Sequence, residues 1–501
     1  MARPLQKRDV NPATLYPAHN FTLPVDHFHN ISAYAPHTNA TFSNRYWFDA
    51  SHYRKGGPVI ILQSGESDGT ARLGFLQKGL VQQLAQENHG IAVIFEHRYY
   101  GTSMPTPDLS TENLRFLTTE QAMADEALFA QTVVFPGLEH LDLTSKSTAW
   151  IGYGGSYAGA FNAFLRVQYP DVFWGTISSS GVTKAIYDYW EYYEPIAQYG
   201  PPACIAAQRH LINIVDIILL KNSTKLTTEV KAAFGLPNIT SVSIDYDLRR
   251  DLTNACRYDD DFANILSTDA GLAYWQSLNW DPALSSNVFY DYCNIISNTS
   301  VVYPATSNKT TAVTSLVEAA GYKCTTALIN QMLNFIGYIN VNVVAPCAKG
   351  NTTQDQCYSG HNATYYAQDD ITQTWRSWPY QYCTQWGFLQ TGSGVPQNQL
   401  PLISRLLDLP YESLVCKLAF NITTPPDLEA VNKYGGYNIS YERLAIIGGE
   451  WDPWRPATPQ AWEYGAKNRT STVNEPDILI PKAVHHVSTP PRKSHEPSAQ
   501  S

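Results

Sequence analysis

Short apolar, largely β-branched runs alternate with helical patterns through the first 180 residues. Pro58-Val59-Ile60-Ile61-Leu62 and Gly90-Ile91-Ala92-Val93-Ile94-Phe95 are unbroken runs, which predicts strands buried on both faces. Thr118 and Gln121 have the spacing of a capping box and predict a helix from Glu120 to Val134. A strand follows at Thr148–Gly152, then a tight Gly-rich turn, a helix from Ala158 to about Gln168, and a strand at Trp174–Ser178. This β-α-β rhythm predicts an α/β fold, a mostly parallel sheet with helices on both faces.

The rhythm stops near Tyr187. From there to about Pro425 the patterns are helical, as in Ile205–Leu220 and Ala327–Ile339, and the sheet pattern resumes with Leu444–Gly448 and Asp477–Ile480. The expected organisation is an N-terminal segment (1–19) with a dibasic Lys7-Arg8 suited to processing. A first core part (20–186), an inserted helical cap (187–425) and a second core part (426–488) follow, then a polar tail (489–501) expected to be disordered.

All eight cysteines, Cys204, Cys256, Cys293, Cys324, Cys347, Cys357, Cys383 and Cys416, fall in the insertion. An even number without a CxxC pair points to disulfides that staple the cap rather than to zinc, and leaves their pairing open. Asn-x-Ser/Thr sequons begin at Asn20, Asn30, Asn39, Asn222, Asn238, Asn298, Asn308, Asn351, Asn362, Asn421, Asn438 and Asn468. Both features suit a glycosylated protein that is secreted, or alternatively vacuolar or lysosomal. MARPLQKRDV contains no apolar signal core, so the expectation is that this start lies downstream of a signal peptide.

Of 501 residues, 44% are hydrophobic and 16% charged, so the chain can bury a large core. The net charge of −10 and the lack of a basic run argue against nucleic acid as a partner. No unbroken apolar stretch reaches the roughly 18 residues of a membrane span. Tyr (32) and Trp (12) are plentiful, which suits a ring-lined binding surface.

The chemistry concentrates at Trp150-Ile151-Gly152-Tyr153-Gly154-Gly155-Ser156-Tyr157-Ala158-Gly159. A strand, a Gly-rich turn, a Ser and a helix describe a nucleophile elbow, with Ser156 as nucleophile and the backbone N–H of Tyr157 as oxyanion donor. Ala158 stands where a strict GxSxG has Gly, a place any small residue can fill. Such a Ser needs a His base and an acid to orient it, each expected just after a later strand. Asp452 follows the Leu444–Gly448 run, with Glu450 as competing acid; His485 follows Asp477–Ile480, with His486 as competing base.

Beyond the elbow, the block Glu96-His97-Arg98-Tyr99-Tyr100-Gly101-Thr102-Ser103, the segment Leu117-Thr118 through Gln121-Ala122-Met123-Ala124-Asp125 and Trp375 through Cys383 complete a recognisable set. So do Val25-Asp26-His27-Phe28, Arg45-Tyr46-Trp47, Gly56-Gly57-Pro58-Val59 and Gly65-Glu66. From about residue 20 to His486 the chain resembles the S28 serine peptidases, a family that includes Pro-Xaa carboxypeptidase, dipeptidyl peptidase II and fungal acid prolyl endopeptidases. The resemblance implies an α/β-hydrolase core with a helical cap and cleavage after proline, often at acidic pH. It implies no metal or organic cofactor, and Ser156, Asp452 and His485 as the triad. The expected partners are proline-containing peptides, and the protein is a monomer or homodimer.

A proline ring calls for aromatic walls, for which Trp375, Trp378, Tyr380 and Trp454 are candidates. Tyr99 and Tyr100 can approach the site or pack, and Arg98 can be a buried ion-pair partner. Two departures from the family stand out: Gln385, where many relatives carry an acid, and the polar sequence after His486, where relatives continue into an apolar closing helix. The carboxypeptidase and endopeptidase modes are both open. An esterase or lipase on the same fold is one alternative reading, and a catalytically silent, glycosylated binding protein another.

Overall fold

The computed structural model describes residues 11–239, 271–278, 285–350, 353–358 and 361–486. Ten strands are present among them: β1 His19–Pro24, β2 Thr41–Asp49, β3 Val59–Gln63, β4 Ile91–Phe95, β5 Trp150–Gly155, β6 Gly175–Ser179, β7 Ile186–Asp188, β8 Gly387–Leu389, β9 Leu444–Gly449 and β10 Asp477–Ile480. Eight form one sheet in the order β1-β2-β4-β3-β5-β6-β9-β10. Only β2 runs against its neighbours; every other pairing from β4 to β10 is parallel. This is the α/β-hydrolase arrangement expected from the sequence. β3, apolar up to its terminal Gln63, and the all-apolar β4 are buried along their whole length, as an interior strand with helices on both faces must be.

The chain divides into two compact units. The first comprises Met1–Ala185, Asp369–Trp386 and Pro425–Ser501, and carries the large sheet. The second comprises Ile186–Gln368 and Gly387–Thr424. Residues 369–386, expected as part of the cap, therefore group with the first unit. Three hydrogen bonds explain it: Tyr100 Oη donates to Gln381 Oε1 (2.5 Å), Ser377 Oγ to the Tyr99 carbonyl (2.8 Å) and Arg376 Nε to the Leu109 carbonyl (2.9 Å).

The buried Arg98 and Asp125 of the first unit are matched. Arg98 is fully buried and grips Asp125 through Nε and Nη2 (2.6 and 2.7 Å), while Nη1 serves the carbonyls of Val25 and Phe116. Asp125 also meets His27 Nε2 at 2.7 Å. Arg98 is thus the structural ion-pair partner rather than a substrate ligand. Asp125→Ala leaves that guanidinium buried and unpaired, and urea titration should register a loss of about 3–5 kcal/mol. Burial pushes the Asp125 carboxyl up, but Arg98 and His27 more than offset it and hold it below its usual range. A depressed carboxyl stabilises the fold above its unfolded pKa of about 3.9 and loses that contribution as pH falls below it. The difference in thermal midpoint between wild type and Asp125→Asn should therefore stay level from neutrality to about pH 5 and shrink below about pH 4.

The second unit is helical, with Pro202–Leu220, Thr224–Phe234, Val288–Ile296, Thr310–Ala319 and Thr326–Ile339 as its principal helices beside the short β7–β8 pair. Disulfides join Cys204 to Cys293 and Cys347 to Cys357, and Cys383 and Cys416 are disulfide-bonded too. Cys324 is a free thiol and departs from the expectation of full pairing; Cys256 lies outside the described residues. Pro202–Leu220 is long and apolar enough to cross a membrane by length and composition, although the sequence reading foresaw no span. In this unit it buries Leu211, Ile214, Val215 and Ile218, and its Asp216 carboxylate accepts from Ser404 and from the Arg405 N–H. Lys7-Arg8, Asn351 and the tail 489–501 lie outside the described residues.

Candidate active site

Ser156 follows β5 directly and precedes the helix Tyr157–Gln168, with φ 57° and ψ −124°. That positive φ costs energy for a residue with a Cβ, and the surrounding contacts maintain it. The Ser156 N–H donates to the Ser179 carbonyl and its own carbonyl accepts from Ala160 N, both at 3.0 Å. Two glycines make the sharp turn fit. A Cβ on Gly154 would lie 2.2 Å from the Ala158 carbonyl oxygen, and one on Gly159 2.7 Å from the Ser179 carbonyl oxygen. Ala158, where a strict GxSxG has Gly, is buried in the first turn of that helix. Gly154→Ala should cost about 1–3 kcal/mol in chemical denaturation, as overpacking does, and should reduce fluorophosphonate labelling of Ser156.

The three sequence-predicted triad residues meet. His485 Nε2 lies 3.0 Å from Ser156 Oγ, and His485 Nδ1 lies 3.0 and 2.9 Å from the two Asp452 oxygens. A carboxylate only accepts, so Nδ1 carries the proton and Nε2 is left to accept from the Ser156 hydroxyl, the tautomer a general base needs. Asp452 is buried, and its Oδ1 also accepts the Trp454 N–H at 2.8 Å. Of the competitors, Glu450 Oε2 accepts the Lys482 N–H at 2.9 Å and holds the turn after β10. The His486 ring lies tilted by 47° against His485, with ring centroids 3.9 Å apart, and the His486 N–H donates to Ser180 Oγ. Burial, with the charges of His485 and Arg72 adding to it, pushes the His486 ring well below its ordinary range.

Tyr157 places its backbone N–H at the first turn of the helix, beside Ser156, where developing negative charge is favoured. Its side chain points into the core: the hydroxyl lies 2.7 Å from His97 Nε2. His97 Nδ1 is 2.7 Å from the Arg98 carbonyl, which can only accept, so the Tyr157 hydroxyl donates to Nε2. Burial lowers His97 to about 4 and keeps the ring neutral. Tyr157→Phe strips a buried nitrogen of its donor and should cost about 1–3 kcal/mol by denaturant titration.

The aromatic candidates separate. The Trp454 ring lies 6.2 Å from that of His485, and the Trp378 ring meets Tyr157 edge-on at 5.7 Å. Both are partly exposed; Trp454 borders the triad at His485, whereas Trp378 lies against the side chain of Tyr157. Trp375 instead bonds Gln373 and lies against Arg376, while Tyr380 is buried, its hydroxyl raised to about 12 by desolvation. Nothing in those contacts brings either ring to Ser156. Tyr99, with φ 65° and its hydroxyl on the Asn113 carbonyl, is a packing residue. Gln385 Oε1 accepts the Thr119 N–H at 3.2 Å, at the start of the helix Thr119–Thr132. No motif pointed to Arg72 or Ser180; only the folded loops bring them to the histidines.

Among the described residues, no group of three His, Cys, Asp or Glu side chains is placed to hold a metal ion. A cavity of about 420 Å³ opens at the far end of β9 and β10, lined by Tyr441, Arg469 and Asp477 among others and by none of the triad.

The family model for serine carboxypeptidase S28 matches residues 24–499. A probable extracellular serine carboxypeptidase of Arthroderma benhamiae is 49% identical over 483 residues, covering 96% of this chain and 64% of that protein, so the chain spans less than two thirds of that relative. The serine protease vicPa of Bipolaris victoriae is 30% identical over 471 residues, covering 90% of this chain and 81% of its own. The thymus-specific serine protease of Mus musculus is 25% identical over 478 residues, covering 91% and 81%.

Proposed function

The chain belongs to the serine carboxypeptidase S28 family, and on that premise we propose that it is a secreted serine peptidase hydrolysing peptide bonds on the carboxyl side of proline. The observation that carries the reading is the unbroken hydrogen-bond chain from Ser156 through His485 to Asp452. Ser156 Oγ attacks the scissile carbonyl carbon as its proton passes to His485 Nε2, and the Tyr157 N–H receives the oxyanion. Collapse of the tetrahedral intermediate breaks the C–N bond, and His485 returns the proton to the leaving amine. Water, activated by the same imidazole, then attacks the acyl-enzyme and releases the new carboxylic acid and Ser156.

Proline preference is supported by the partly exposed Trp454 ring next to His485, which suits a rigid apolar ring, together with the family resemblance. Secretion is supported by the disulfides and by the sequons, whose described asparagines are all exposed except the half-buried Asn362. Activity at mildly acidic pH rests on the resemblance. The test is mass spectrometry of a peptide with one internal and one penultimate proline at mildly acidic pH, with wild type and Ser156→Ala side by side. Cleavage after either proline by wild type alone is the expected result. An untouched peptide with folded protein would sink the reading.

A further inference from the structure

We infer that Arg72 is the subsite for the free α-carboxylate of the substrate's last residue, which assigns the chain a carboxypeptidase mode; this rests on the peptidase reading above. Arg72 lies in the 3-10 helix Gly69–Leu76, just beyond the loop that follows β3. Its Nε donates to the Ser64 carbonyl at 3.0 Å, which leaves the Nη1–Nη2 end of the guanidinium free. The other arginines of this unit that lie in its interior are committed elsewhere: Arg45 to Glu96, Arg98 to Asp125, Arg455 to Glu463, Arg376 to the Leu109 carbonyl, and Arg166 to three backbone carbonyls. Among the described residues Arg72 has no carboxylate within ion-pairing distance. It is a partly buried cation without an anion.

Its position decides which anion. Nη2 lies 3.9 Å from a Cβ built on Gly65, and that same point is 3.7 Å from the Ala158 methyl, two residues past Ser156. Arg72 also bears electrostatically on His486, whose tilted ring lies against His485 with centroids 3.9 Å apart. The cation therefore stands on the flank of the nucleophile occupied by the imidazole. In the reaction the departing amine receives its proton from His485 Nε2, so the leaving residue occupies that flank too. When one residue leaves, its carboxylate is two bonds beyond the departing nitrogen. The free fork of Arg72 matches a carboxylate in bidentate fashion. A longer leaving peptide would put a neutral amide there and forgo the charge-assisted pair. Glu66, on the same loop, makes no ion pair with Arg72.

The test compares kcat/KM on two peptides that end in Pro-Phe and differ only in a free or amidated C-terminus. A charge-assisted hydrogen bond predicts that wild type prefers the acid by about 10- to 150-fold. Arg72→Gln should bring that ratio close to unity, and Arg72→Lys should retain part of it. Fluorophosphonate labelling of Ser156 reports whether each variant still assembles its elbow. A wild-type ratio near unity overturns the assignment without any variant, as does an unchanged ratio in a labelled Arg72→Gln protein. Cleavage at an internal proline with no acid preference would leave the peptidase reading standing and remove this one. If neither peptide is cut, the peptidase reading fails and the role of Arg72 fails with it.

Discussion

Ser156→Ala is expected to lower kcat on a proline-containing peptide by about a million-fold, the scale at which a serine triad fails when its nucleophile is lost. The substitution removes one oxygen and little else. Alanine occupies a φ of 57° at about the cost serine does, so the elbow and the paired histidines should persist. Activity should not fall to the uncatalysed rate, because the Tyr157 N–H still polarises a bound carbonyl and contributes, with binding, about 10³–10⁴-fold over water. The measurement is turnover normalised to folded protein, with circular dichroism of both forms. A fall of less than a hundredfold would mean that another nucleophile performs the chemistry.

Asp452→Asn should cost about 10⁴-fold in kcat, for a reason visible in its two contacts. Oδ1 accepts the Trp454 N–H as well as facing His485, whereas Oδ2 faces His485. An asparagine keeps its carbonyl oxygen on the Trp454 N–H and so turns its amide NH2 toward Nδ1. Two donors cannot face each other, and the imidazole moves its proton to Nε2, where it can no longer accept from Ser156. Glu450→Gln is the comparison, because Glu450 holds only the Lys482 N–H. Its kcat should stay within about tenfold of wild type. A larger loss in Glu450→Gln than in Asp452→Asn would transfer the acid's role to Glu450.

The strands β3 and β4 were legible because each is a parallel strand buried along its length and written as an apolar run, and the others because a shorter apolar or Gly-containing run ends in a turn. β3, β4, β6, β9 and β10 fall within a residue or two of the sequence reading, and β5 runs on to Gly155. β1 and β2 were not legible. They stand at the sheet's antiparallel margin, and His19–Pro24 and Thr41–Asp49 mix exposed polar positions with buried ones without a clean alternation. The segment 369–386 was misassigned because its attachment depends on single hydrogen bonds from Arg376, Ser377 and Gln381, which leave no periodic trace. The triad could be read from order along the chain, since each member follows a strand. The choice between Asp452 and Glu450, or His485 and His486, became a matter of geometry only once the loops were in place. Trp375 and Tyr380 show the limit of composition: an aromatic ring suited to a pocket is equally suited to a core.

The partner strand of β6 is β9, and roughly 260 residues of chain separate them. At about 5–20 residues per second, a ribosome needs roughly 13 to 50 s to cross that gap. Throughout that time the Thr176–Ser179 edge has no mate, and an open strand edge invites pairing with other chains. The nucleophile is thus made early and its base last. A nascent chain carries Ser156 without hydrolytic power and depends on whatever shields that bare edge until Leu444–Gly449 leaves the ribosome.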